Sequence, residues 1–226
     1  MSSRPPELLL FDAAGTLIEP AEPVARVYQR YFARHGWAAE ELHLKRSFRE
    51  IFAGLADPEF QDHTDGDLAE RAWWRGVVRE TAAAAGVEPE GEAFEECFAD
   101  LFGHYAAGSA WAVFPEVRGV LEELKDCGFR MAVVSNFDRR LHRVLEELDL
   151  TRWFDLVLTS ADVSARKPSP VLLQSAMRHL AVAPEHTRLV GDSQSADGGA
   201  AAAAGVEAFI LNRPHTTLAD FAAGLG

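Results

Sequence analysis

The chain has 226 residues, 48% of them hydrophobic and 25% charged, which suits a globular core and excludes a disordered chain. A formal net charge of −13 repels a phosphate backbone, so nucleic acid is excluded as an expected partner. Cys97 and Cys127 form no CxxC or disulfide framework and read as apolar packing in a reducing compartment. Residues 1–6 carry no signal-like segment, and no apolar run approaches the ~20 residues of a membrane helix, so the expectation is a soluble cytoplasmic protein.

Leu8–Phe11 is a short unbroken apolar run, the pattern of a strand buried on both faces. It ends at Asp12 and a turn in which Gly15 lets the chain bend sharply. Residues 18–111 show helical periodicity and no convincing strand. Val24, Val27, Tyr28, Tyr31 and Phe32 share one face of a helix that Gly36 stops. Phe48, Ile51, Phe52 and Leu55 make a second stripe. A third helix, with Asp67 as its expected cap, carries Leu68, Trp73, Trp74, Val77 and Val78. Phe94, Cys97, Phe98, Leu101, Phe102 and Tyr105 make a fourth. Aromatic stripes at this spacing are expected to be core rather than pocket lining, with one tryptophan left as a candidate to face the cleft. Four amphipathic helices imply a small bundle above the sheet.

Beyond this stretch, helices and apolar runs alternate. Helices are expected over 117–126, 139–148, 170–180 and 196–204, the last stopped by Gly205, and strands over 129–134, 154–158, 187–190 and 207–211. Such alternation implies a parallel sheet covered on both faces. The expected architecture is α/β, with a Rossmann-like core from residues 1–17 and 112–226 and a helical cap from 18–111.

Chemistry-bearing residues gather where these strands end, the edge at which open parallel sheets bind ligands. Asp12 follows the first strand, Ser135 and Asn136 the second. Lys167 lies after the third, and Asp192 with Asp197 after the fourth. Converging carboxylates repel unless a cation lies between them, and Mg2+ accepts such oxygen ligands. The expected metal set is therefore Asp12, Asp192 and Asp197, the last directly or through water. Asp12 is the expected nucleophile, forming an aspartyl-phosphate. Lys167 offsets charge on the transferring group, and the Ser135 hydroxyl binds its oxygens. Gly15, Thr16 and Asn136 are expected to bind the substrate, a small phosphorylated molecule. Arg139 and Arg140 either reach the phosphate or pair with carboxylates. The eight histidines show no metal spacing.

FDAAGTL at 11–17, VVSN at 133–136, KPSP at 167–170 and LVGDSQSAD at 189–197 resemble the four ordered motifs of the haloacid dehalogenase superfamily. VVSNFDRRL, FDLVLTS and AWWRGVV look closest to its haloacid dehalogenase-like hydrolase domain-containing protein 3 group. The resemblance implies a Rossmann-like core, an inserted helical cap and magnesium-dependent phosphatase chemistry, with the Ala14 carbonyl as a further magnesium ligand. One position departs from it: phosphatases of the family carry a second Asp two residues after the nucleophile, and here that residue is Ala14. A methyl group moves no proton, and general acid–base catalysis contributes typically ~10²–10⁴-fold. Three alternatives accommodate Ala14. A 2-haloacid dehalogenase needs no acid, but lacks the Asp that Asp192 supplies. A phosphonoacetaldehyde hydrolase needs a Schiff-base lysine in the cap, where Lys45 stands alone. A binding or regulatory protein needs no nucleophile at all.

Overall fold

The computed structural model describes residues 6–60, 65–88 and 90–225; residues 1–5, most of the N-terminal stretch read above for a leader, lie outside them. Among the described residues, β1 (Leu8–Phe11) leads through a loop to the short strand β2 (Ile18–Pro20). Four helices follow, α1 (Val24–Arg34), α2 (Glu41–Gly54), α3 (Gly66–Ala84) and α4 (Gly91–His104), and then a second short strand, β3 (Trp111–Val113). The chain then alternates through α5 (Val117–Asp126), β4 (Arg130–Ser135), α6 (Arg140–Glu147), β5 (Leu156–Thr159) and the one-turn α7 (Ser160–Val163). It finishes with α8 (Val171–Leu180), β6 (Thr187–Gly191), α9 (Gly199–Ala204), β7 (Glu207–Ile210) and α10 (Leu218–Ala223).

The main sheet has the order β5-β4-β1-β6-β7 and is parallel throughout. The period-2 geometry of a strand splits β1 between two cores. Leu9 and Phe11 pack on one side with Met131 and Val133 of β4, against α5, α6 and α10. Leu8 and Leu10 pack on the other with Ala132 and Val134, against α8 and α9. All four β1 residues are fully buried, and each such side chain stabilises by roughly 1.5–3 kcal/mol. This is why the run carries no polar residue until the strand ends at Asp12.

A third core lies among α1–α4, built on Tyr28, Phe32, Leu44, Val78, Phe94 and Phe98. The antiparallel pair β2–β3, Ile18 with Val113 and Pro20 with Trp111, joins that bundle to the sheet. The sequence reading missed this pair, because three residues are too few to show a period and the partners lie far apart in the chain.

Several local expectations are corrected. Asp67 does not cap α3: Asp65 does, accepting from the Asp67 backbone N–H at 3.1 Å, and Asp67 accepts from the Arg139 N–H instead. Leu68 is 62% exposed and off the apolar stripe. Cys97 is buried as expected, but Cys127 is exposed. The helix expected over 196–204 begins as a π-helical turn over Gln194–Gly198, capped by the Ser193 hydroxyl, and becomes α-helical at Gly199. Among the described residues, no helix is long and apolar enough to cross a membrane.

Candidate active site

Parallel strands bring the ends of β1, β4 and β6 to one edge, and the side chains that follow them converge. Asp12 is held at the end of β1 by its own N–H, which donates to the Val190 carbonyl at 2.9 Å. The Ala13 carbonyl then accepts from the N–H groups of Thr16, Leu17 and Ile18, closing a tight loop. Gly15 sits in that loop at φ +85°, and a Cβ there would overlap the Asp192 carboxylate. The side-chain-free backbone thus lets the first loop approach the acid after β6.

Lys167, buried in the loop before α8, donates from Nζ to Asp12 Oδ1 at 2.7 Å, to Asp197 Oδ1 at 2.5 Å and to the Val134 carbonyl at 2.9 Å. All three ammonium protons have acceptors. The Ser135 hydroxyl donates to the same Asp12 oxygen at 3.1 Å. Asp197 reaches this point because the π-helical turn delivers it against Gly191, where any Cβ would collide with its carboxylate. The Ser193 N–H holds its second oxygen at 3.0 Å. Asp192 stands at the solvent side, and carboxylate oxygens of Asp12, Asp192 and Asp197 all lie within 4.8 Å of one another.

One ammonium among three carboxylates leaves an excess of negative charge. Burial pushes the Asp12 carboxyl up; Lys167 opposes this, and Asp197 and Asp192 reinforce it, the result being a pKa of about 6. Asp192 is likewise raised, by burial and by Asp197. Burial works against the Lys167 ammonium, but Asp12 and Asp197 outweigh it and raise its pKa. Three convergent acids that are hard to ionise together are the donor set a hard divalent cation requires. Ala14, whose carbonyl is the fourth expected oxygen, lies in the same loop.

The remaining sequence candidates fall into different places. The Asn136 side chain accepts from the Lys167 N–H at 2.7 Å and donates to the Lys167 carbonyl at 2.9 Å, so it fixes the lysine's backbone. Thr16 is fully buried, and its hydroxyl has no hydrogen-bond partner among the described residues. Arg139 pairs with Asp65, Asp67 and Asp162. Arg140 pairs with Asp138. Neither arginine bonds the carboxylate cluster. Lys45 is exposed on α2. Arg213 was missed: it donates to the Gly15 carbonyl at 3.2 Å and the Thr16 carbonyl at 2.8 Å, while paired with Glu116 and lying over the Phe114 ring. A lone arginine in a loop carries no sequence pattern, so nothing pointed to it.

A model of the haloacid dehalogenase-like hydrolase family matches residues 6–205. Over 204 residues the chain is 32% identical to haloacid dehalogenase-like hydrolase domain-containing protein 3 of Mus musculus, covering 90% of this chain and 81% of that relative. It is 28% identical over 188 residues to a phosphoglycolate phosphatase of Rhodobacter capsulatus, covering 82% and 75%. The fold is similar to the crystal structure of a phosphatase from Thermococcus onnurineus, with a TM-score of 0.68, 23% identity and coverage of 97% and 98%.

Proposed function

This chain belongs to the haloacid dehalogenase-like hydrolase family, and on that premise we propose that it is a magnesium-dependent phosphohydrolase acting on a small phosphorylated molecule, with residues 18–111 as its cap. The observation that carries the reading is the cluster of Asp12, Asp192 and Asp197 within 4.8 Å, with the Lys167 ammonium bonded to two of the three. Asp12, Asp192 and Asp197, with the Ala14 carbonyl, would hold Mg2+, which when bound offsets carboxylate and phosphoryl charge. Asp12 attacks phosphorus through a carboxylate oxygen. An O–P bond forms, the P–O bond to the leaving group breaks, and the electron pair departs on the leaving-group oxygen. The Lys167 ammonium, held among Asp12, Asp197 and the Val134 carbonyl, offsets the charge that builds on the phosphoryl oxygens, and the Ser135 hydroxyl binds one of them. Water then attacks phosphorus, restoring the Asp12 carboxylate and releasing dihydrogen phosphate, which retains both water protons.

The exposure of Lys45 disfavours a Schiff-base mechanism, and Asp192 within reach of the other acids disfavours a metal-free dehalogenase. A binding protein has no use for a buried nucleophile paired with a lysine. Asp12→Asn should abolish magnesium-dependent release of phosphate from acetyl phosphate while leaving the protein folded. Undiminished turnover in that variant would refute the mechanism.

A further inference from the structure

Above the carboxylates, between the sheet edge and α1–α4, lies a cavity of ≈ 230 Å³. Ala14 and Asn136 belong to its lining, which places it beside the reacting centre. The opposite wall is aromatic and includes Tyr28, Phe48, Phe52, Trp74, Phe98 and Phe102. These come from the stripes read in the sequence as bundle core. Part of each stripe does pack inward, but the remainder lines this space.

The charges in the cavity are already used. Arg140 is the charged side chain among the described residues of the lining. Its Nε and Nη2 donate to Asp138 at 2.7 Å each, its Nη1 donates to the Phe102 carbonyl at 2.7 Å, and its guanidinium lies 3.4 Å from the Phe102 ring centroid. Among the described residues of the lining, a second anionic group on a substrate would find no unpaired cation, and sugar hydroxyls would lose water without gaining partners. The Trp74 indole N–H and the Tyr105 hydroxyl have no hydrogen-bond partner among the described residues, but both atoms are fully enclosed and do not open onto the cavity.

Ala14 adds an independent constraint. Ala14 is the residue of its loop that lines the cavity, and among the described lining residues there is no carboxylic acid to protonate a departing oxygen, so the leaving group must depart as a stable anion. We infer that the substrate is an aryl phosphate monoester whose apolar ring fills this cavity. The inference rests on Asp12 as the nucleophile. In the step it describes, Asp12 displaces an aryloxide, which carries off the P–O electron pair and takes no proton from the protein. The size agrees, since an apolar cavity of ~150 Å³ already accepts a benzene ring.

The test is steady-state kinetics of the wild-type protein with Mg2+. Acetyl phosphate has a leaving group too small to fill the cavity and needs no acid, so it reads the carboxylate cluster alone. Against it stand phenyl, 1-naphthyl and cyclohexylmethyl phosphate and glucose 6-phosphate. The expected kcat/KM for 1-naphthyl phosphate is at least ~10²-fold above that for cyclohexylmethyl phosphate, because only the alkoxide needs the missing acid. KM should fall about tenfold from phenyl to 1-naphthyl phosphate as the second ring is buried. Hydrolysis of acetyl phosphate together with faster turnover of glucose 6-phosphate or the alkyl ester than of 1-naphthyl phosphate would overturn the substrate class and leave the phosphohydrolase standing. No turnover of any of the five would overturn both.

Discussion

The two walls of the cleft treat polar atoms in opposite ways. At the sheet edge, Asp12, Ser135, Lys167 and Asp197 bond one another, and Asn136 and Ser193 hold the backbone and the carboxylate behind them. Across the cavity the lining is largely hydrocarbon, and the charged side chain among its described residues, Arg140, is already paired with Asp138. A preorganised charged site acts on any phosphoryl group placed in it. An apolar wall selects by area and shape, and charges nothing for the ring it accepts. The two walls are held in register by a buried ion pair: Glu70 of α3 receives Arg166, the neighbour of Lys167, and the Ser160 hydroxyl.

The largest expected effect is on the charged wall. Lys167→Met removes the cation from among three carboxylates while keeping the length of the side chain. The phosphatase rate should fall at least ~10²–10³-fold, and the protein should lose about 3–5 kcal/mol in urea unfolding. A rate within about tenfold of wild type would break the view that this network does the chemistry.

The link between the walls comes next. Glu70→Ala leaves the buried Arg166 guanidinium without its main partner, and stability should fall by ~3–5 kcal/mol, read from the urea midpoint at constant slope. KM for 1-naphthyl phosphate should rise with it, because α3 carries Trp74. A loss in stability with no change in KM would separate the ion pair from the cavity.

Ala14→Asp sharpens the contrast from the other side. Supplying an acid beside the apolar wall should raise kcat for cyclohexylmethyl phosphate by up to ~10²-fold and change that for 1-naphthyl phosphate far less. Equal gains for both esters would mean that departure of the leaving group does not limit the reaction.

The smallest effect is a proton count. Burial and the neighbouring acids hold Asp12 at about 6, above the ordinary carboxylate value, so the group is protonated as pH falls through 6. A divalent metal takes the ionised form. Mg2+ binding should therefore release about half a proton at pH 6 and almost none at pH 8. Calorimetry in buffers of different ionisation enthalpy measures this, and no release at pH 6 would place Asp12 outside the metal site.

The sequence alone determined the alternation of strands and helices, and through it the parallel sheet, because strands buried on both faces tolerate no polar residue and stand out as unbroken runs. It also determined that Asp12, Ser135, Lys167, Asp192 and Asp197 share one edge, since parallel strands all end on the same side. Tertiary structure decided what periodicity does not encode. A helical stripe gives the direction a side chain takes from its own axis, but not whether the neighbour there is another helix or a space. Phe32 and Phe94 therefore read alike with Phe52 and Trp74, although the first two are buried in the bundle and Phe52 is 47% exposed beside the cavity. The β2–β3 pair, the Asn136 grip on Lys167 and the Arg213 contacts with the loop after Asp12 each join residues distant in the chain. Such pairings depend on packing geometry and leave no local pattern to read.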